Sequence, residues 1–285
     1  DTAKLAFTKR LLVVDSRVSI FAQVQPPFDN DLVHTHQKIQ LRVNTQQLNI
    51  LTPQQTHVVI IQNNRWDNAV KDIQPSFIRG KELEYNSEQD CVFPAGKEYR
   101  WADLENFRFM SDRIEKIDPT VTPFQIYIKP DVERNDLRYV YFKDRDGWDE
   151  IATTESVNPW WQTDYAYVHF SFVPSHHQPY AGRSVYLIGE STGNTVGDSS
   201  RMEYDAATGA YRKTLYLKQG YYSYTYVTKA DNQPDSKADA TLTDGNYWET
   251  ENTYTILFYY RGFADRTDQL VGISTINSLN GIKGY

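Results

Sequence analysis

The chain has 285 residues, and 37 acidic against 30 basic side chains leave a formal charge of −7. Hydrophobic residues make up 40% and aromatic ones 14%, which excludes a disordered chain and suffices for about two domains with cores of their own. The acidic balance gives no global attraction to nucleic acid or to an anionic membrane surface, and no run of 18 apolar residues offers a transmembrane helix.

In chain order, the first strand signal is LLVVDSRVSIFAQV over 11–24. The alternation in 39–43 predicts a strand with Ile39, Leu41 and Val43 on one face. HVVIIQ at 57–62 is short and β-branched. Further runs are 106–117, 124–128 and 138–142, each bounded by Pro, Asn, Asp or Gly. Residues 98–105 could hold one helical turn. Asp146-Gly147, between an aromatic run and Trp148, predicts a tight hairpin turn.

The second half continues with YAYVHFSFV at 165–173, then 184–188, 211–217, 221–228 and 253–260. No amphipathic helix of 12 or more residues is evident. Many short strands without intervening helices predict an all-β chain of two consecutive immunoglobulin-like, antiparallel β-sandwich domains. The boundary is expected in ESVNPWWQTD, dividing 1–159 from 160–285. Tyrosine supports the cut: five of the 21 precede it and sixteen follow, as for two units with different cores.

Candidate chemistry is sparse. Cys91 is the single cysteine, so no internal disulfide can form, and it reads as a small buried residue. His34 and His36 would share a strand face, as two metal ligands can, with Asp29 and Asp31 nearby, but no third ligand stands at a recognisable spacing. His176 and His177 point oppositely on an extended segment. The run Asp144–Glu150 has the acidity of a calcium loop without its glycine at position six, so a hairpin with charged shoulders is preferred. The loop with Asp231, Asp235 and Asp239 reads the same way. No nucleophile elbow, Walker loop, dinucleotide glycine pattern or zinc-protease helix is present. Glu249 and Glu251 on a strand would stand about 7 Å apart, a distance that glycoside hydrolysis accepts, but nothing else points to catalysis. A non-enzyme without cofactor or metal is expected.

Two resemblances follow. Val185–Gly189, Met202–Asp205, Gly209–Tyr211 and Leu215–Tyr224 resemble the immunoglobulin-like glycogen-binding modules of starch enzymes. The loop after the glycine, Glu190–Asn194, lacks the tryptophan that stacks on sugar in those modules.

The second resemblance spans nearly the whole chain. Lys218-Gln219-Gly220-Tyr221-Tyr222, Trp248-Glu249-Thr250-Glu251-Asn252-Thr253-Tyr254, Tyr259-Tyr260-Arg261, Asp268–Gly272 and Ile276-Asn277-Ser278 resemble, in order, the type IX secretion system plug protein family of Bacteroidetes. Phe93–Arg100, Asp103, Phe107-Arg108 and Arg17-Val18 also match. Thr267-Asp268-Gln269-Leu270 departs from the family's Tyr-Asp-Arg-Leu. The family carries a further β-domain ahead of this segment, so Asp1 is expected to be a cut.

The resemblance implies a non-catalytic, exported, periplasmic protein, peripheral to the outer membrane, that occludes the mouth of the translocon barrel. It marks Gly220, Tyr221, Tyr222, Trp248, Glu249, Glu251, Asn252, Tyr254, Arg261, Asn277 and Ser278 as motif positions for interaction. Read physically, Tyr222, Tyr224 and Tyr226 share one strand face, suited to a core with hydroxyls at its rim or to a contact surface. Glu249, Glu251 and Asn252 would serve as polar partners of backbone or of an arginine such as Arg261. The alternatives are a carbohydrate-binding module, which needs an exposed aromatic platform, and an exported scaffold or adhesin.

Overall fold

The computed structural model describes residues 9–45 and 47–280. Asp1, the expected cut, and the two ends of the expected domains lie outside them. Among the described residues there is no α-helix, only strands and three short 3-10 turns.

In the first part of the chain, β1 (Ser19–Gln25), β2 (His36–Asn44), β4 (Phe77–Arg79), β5 (Glu82–Tyr85) and β6 (Val92–Pro94) form one sheet, while β3 (Thr56–Gln62) leaves it for another. The chain then makes β7 (Arg100–Asp103), β8 (Ile114–Asp118), β9 (Phe124–Ile128) and β10 (Asp131–Val132). The second half adds β11 (Tyr165–Val173), β12 (Arg183–Ile188), β13 (Glu203–Asp205), β14 (Ala210–Lys218), β15 (Tyr221–Ala230), β16 (Thr253–Tyr260) and β17 (Gln269–Asn277).

These strands build two sandwiches that are interleaved rather than consecutive. The first packs the β1-β2-β5-β4 sheet, with β6 beside β2, on a β17-β16-β3 sheet. Its core joins Ile39, Leu41, Val43, Val58, Ile60 and Phe93 to Tyr254, Ile256, Phe258 and Val271. The second packs β13-β14-β11-β9-β8, with β10 on β11, against β12-β15-β7. Its core joins Leu104, Ile126, Phe170, Phe172, Leu187 and Tyr222.

The expected boundary at 159/160 therefore does not separate the two cores. β7 to β10 precede it yet sit in the second sandwich, and β16 and β17 follow it yet sit in the first. The reason is pairing: β16 is the central strand between β17 and β3, with Tyr254 opposite Gln62. Closing so long a loop adds little entropy cost, because that cost grows only with the logarithm of length. Tyr254, Tyr259 and Tyr260 thus belong to the first sandwich, despite the tyrosine step.

Local expectations fare unevenly. β11 follows the alternation of 165–173, burying Ala166, Val168, Phe170 and Phe172. Ile39, Leu41 and Val43 are all buried on one face. The chain over 11–17 forms no strand of its own, although Asp15 and Arg17 donate to the Leu270 and Val271 carbonyls along β17. Residues 98–105 hold strand β7 instead of a helical turn, because Trp101 to Asp103 pair with β15. Within 106–117 only the end is a strand. Residues 138–142 are not one: Tyr139 stacks on Tyr247 at 4.3 Å and donates to Glu98, so its partners are side chains instead of a neighbouring ladder. Asp146 and Gly147 take positive φ (48° and 80°) and close a turn from Trp148 N to Arg145 O, but no strands flank it as a hairpin. The sandwich is also not wholly antiparallel, since β9 and β10 run parallel to β11.

The two passages between sandwiches lie side by side. Tyr247 N and Thr250 Oγ1 both donate to the Gly96 carbonyl (2.9 and 2.8 Å), and Gly96 N donates to Asn246 Oδ1 at 2.9 Å. A cleft of about 320 Å³ opens at this seam, lined among others by Asn63, Arg65, Tyr99 and Asn252.

Candidate interaction site

Most motif positions from Trp248 onward gather at the seam, around Asn252. Its buried amide accepts from Asn63 Nδ2 (2.8 Å) and donates to Gln37 Oε1 (3.1 Å) and the Ala95 carbonyl (2.9 Å). Its backbone N–H donates to Ser278 Oγ at 2.9 Å, and Ser278 N returns a bond to the Asn252 carbonyl at 2.9 Å. Gln37 spans the hub: its Nε2 donates to the Trp248 and Thr250 carbonyls (both 2.7 Å), and its Oε1 accepts from Tyr254 OH at 2.8 Å. Glu251 Oε1 accepts from Asn277 Nδ2 at 2.7 Å. Glu249 is exposed, and its carbonyl accepts from Tyr139 OH at 3.3 Å. A buried polar group must be hydrogen-bonded, so a hub this saturated fixes geometry.

The other motif positions lie elsewhere. Arg261 sits past the far end of β16, where it reaches the Asp265 and Arg266 carbonyls at 3.5 and 3.4 Å. It is therefore not the partner expected for Glu249, Glu251 or Asn252, because the length of β16 separates them. Gly220 joins β14 to β15, and a Cβ there would collide with the Glu150 carbonyl oxygen. The glycine is needed for this close approach: Glu150 and Tyr221 exchange two backbone bonds of 2.8 Å beside it. Tyr221 is half-buried under the Arg145 guanidinium, 4.8 Å from its ring centroid. Tyr222 is buried, with its hydroxyl on the Lys218 carbonyl at 2.5 Å. Tyr224 and Tyr226 are buried too, and both donate to Asp131 Oδ2 at 2.9 Å. This tyrosine face is core.

Buried and half-buried carboxylates cluster at Glu98 and along 144–149. Asp144 accepts from Tyr99 N and Asp146 N; Asp149 Oδ1 accepts from Ser223 N at 3.3 Å; Glu98 accepts from Tyr139 OH and from Glu251 N. Asp146 Oδ1 and Glu98 Oε2 are buried without a hydrogen-bond partner. Burial pushes Glu98 up to about 8, Asp146 and Asp149 to about 7 and Asp144 to about 6. Among the described residues no three His, Cys, Asp or Glu side chains come together as metal ligands. His36 Nδ1 instead bonds Thr35 Oγ1 at 2.8 Å.

These raised acids set a pH dependence. Between the ordinary carboxylate range and their raised values the folded chain holds more protons than the unfolded one, so stability falls as pH rises from about 4 to about 8. Asp244 works oppositely: against the pull of burial, Arg100 and Arg134 hold it near about 2, and its contribution is lost only as pH falls through that value. The melting temperature is expected to be higher near about pH 5 than near about pH 8.5, and Glu98→Gln should flatten the alkaline slope. Thermal scans across that range check both; a melting temperature that rises toward pH 8.5 would contradict the assignment.

One surface was missed in the sequence. On the outer face of the β11 sheet, Tyr165, Tyr167 and Tyr216 are 46, 40 and 53% exposed. Tyr216 lies opposite Tyr167 in register, and its ring is 5.0 Å from those of both Tyr167 and Tyr165. Further along, His169 stacks on Tyr127 at 4.4 Å and bonds Thr214 Oγ1 and Gln125 Oε1. The signal was available: the same alternation that buries Ala166, Val168 and Phe170 must turn Tyr165, Tyr167 and His169 outward.

No family model matches the chain, and no curated protein matches it. It is similar to a hypothetical protein from Parabacteroides merdae ATCC 43184, known from a crystal structure at 2.30 Å resolution. The two are 32% identical with a TM-score of 0.86, over 93% of this chain and 66% of that one, so the chain spans just under two thirds of its neighbour's length.

Proposed function

We propose that the chain is a non-catalytic, exported component of type IX protein secretion that closes the periplasmic mouth of the outer-membrane translocon barrel. What supports this reading is the use to which the family-like strings are put. Residues 248–254 and 276–278 build the Asn252 hub, which ties the returning chain to Gln37, Asn63 and Ala95 of the first sandwich. The paired passages at Gly96 then join that sandwich to the second. A plug has to resist deformation as one body, and a saturated buried network supplies such stiffness. The partner is accordingly a large outer-membrane barrel, met through surface contacts without chemistry.

The test is affinity purification of the tagged protein from gently solubilised outer membranes of its host. Recovery of a very large barrel protein in stoichiometric amount is the expected result. Recovery of the tagged protein free of any barrel would overturn the proposal.

A further inference from the structure

We infer that the outer face of the β11 sheet is a binding site for a neutral, linear polysaccharide. The inference goes beyond the secretion reading and does not depend on it.

Three observations carry it. The first is the row of rings. Tyr165, Tyr216 and Tyr167 follow one another at 5.0 Å spacings on one flat sheet face, with His169 and Tyr127 continuing it. Tyr165 stacks on Tyr216 and His169 on Tyr127, so the faces they share are covered, and it is their outer faces and edges that offer apolar contact to the C–H side of a pyranose and a hydroxyl to its edge. An extended row suits an extended chain of sugars better than one compact ligand.

The second is a cleft of about 360 Å³ at the end of the row, walled by Tyr165, Tyr216, Phe124, Arg108, Glu155 and Asp164. Its size and its mix of aromatic walls with a few polar groups are those of a small-ligand site. Its polar groups are not fully committed. The Arg108 side chain is 79% exposed and meets Glu155 Oε1 at 3.6 Å, an ion pair without a hydrogen bond, and that oxygen has no hydrogen-bond partner. Asp164 is exposed on the same wall. Sugar hydroxyls can accept from the guanidinium and donate to the carboxylates.

The third is charge. At the cleft Arg108 stands with Glu155 and Asp164, and beside it the Lys218 ammonium lies 5.8 Å from the Tyr165 ring. Outward along the sheet, Lys116 pairs with Asp118 (3.7 Å) and Arg212 with Asp205 (3.2 Å). The surface is locally neutral although the chain is acidic. An anionic or cationic polymer would find no complementary field, whereas an uncharged, hydroxyl-rich one needs none. Trp160, held by its carbonyl to Lys218 Nζ at 2.9 Å, stands exposed beside the same rim. The aromatic-free loop 190–194 plays no part in this site.

The experiment is native affinity electrophoresis of the whole chain through gels containing amylopectin, mixed-linkage β-glucan, galactomannan or arabinoxylan, with polygalacturonate as the anionic comparison. The expected result is retardation by at least one neutral polymer. Tyr216→Ala and, separately, Tyr165→Ala should weaken it about ten-fold each, with melting temperatures unchanged because both rings are half-exposed. Arg108→Ala tests the polar wall without touching the rings. The inference is overturned by no retardation in any neutral polymer, by retardation in polygalacturonate alone, or by retardation that survives both tyrosine variants. Barrel recovery lost in Tyr216→Ala without any glycan binding would assign the face to a protein partner and equally overturn it. The membrane purification described above fails or succeeds separately.

Discussion

Replacing Arg100 by alanine is expected to destabilise the protein by about 3–5 kcal/mol, the usual cost of breaking a buried ion pair from one side. Arg100 lies on β7 with its side chain almost wholly buried. Its guanidinium reaches Asp131 Oδ1 at 2.8 Å, Asp244 Oδ1 at 2.5 Å and the Val132 carbonyl at 2.7 Å. Both carboxylates are buried outright. Asp131 also receives Arg113, Tyr224 and Tyr226, and Asp244 receives Arg134 and Thr225, so one arginine links β7, β10, β15 and the loop before the return passage. Alanine would leave two desolvated carboxylates with one cation each. Arg100→Lys keeps a charge but cannot form the fork, and should fall between the two. Urea unfolding checks the series; a loss under about 1 kcal/mol in the alanine variant would show that Arg113 and Arg134 suffice alone.

The second large effect is expected at Asn252. Asn252→Ala removes an acceptor from Asn63 Nδ2 and donors from Gln37 Oε1 and the Ala95 carbonyl, all in the buried hub. Leaving buried partners unsatisfied costs about 1–3 kcal/mol each, so with partial relaxation a loss of about 2–4 kcal/mol is expected. Asn252→Asp is the sharper probe. It is nearly isosteric, yet it would aim a carboxylate at two oxygens that now receive N–H groups. It should be at least as damaging as alanine, and more so as pH rises. Denaturant midpoints at two pH values decide the matter: an aspartate variant as stable as the parent would mean that the bonds from Asn252 to Gln37 and Ala95 contribute nothing to stability.

Strand content was legible because alternation is local. YAYVHFSFV announces β11 and both its faces, and TYTILFYY announces β16. Partners were not legible. Nothing within β16 says that it pairs with β3, since a β-branched strand buried on both faces fits many neighbours. The interleaving was therefore invisible, and the polar linker ESVNPWWQTD drew the boundary to a loop inside one sandwich. The site was half legible. Asn252, Glu251 and Ser278 stood out as a string, but Gln37 and Asn63, which complete the hub, lie about 190 to 215 residues away in sequence and carry no local mark. Nothing local marked Glu98 and Asp144 as buried, because burial is decided by what packs over them.

The return of the chain to its first sandwich orders events in time. Synthesis delivers residues in sequence, whereas the sheet opposite β2 needs β16 at its centre and β17 at its side. Until residue 277 is available, β3 has Val70 beside it and no ladder on its other edge. The part made first is thus the part completed last, and the C-terminal hairpin acts as its keystone. A chain stopped between Gly245 and Thr253 would carry a whole second sandwich and a first one with an open, strongly apolar edge, the kind of surface that recruits chaperones or aggregates.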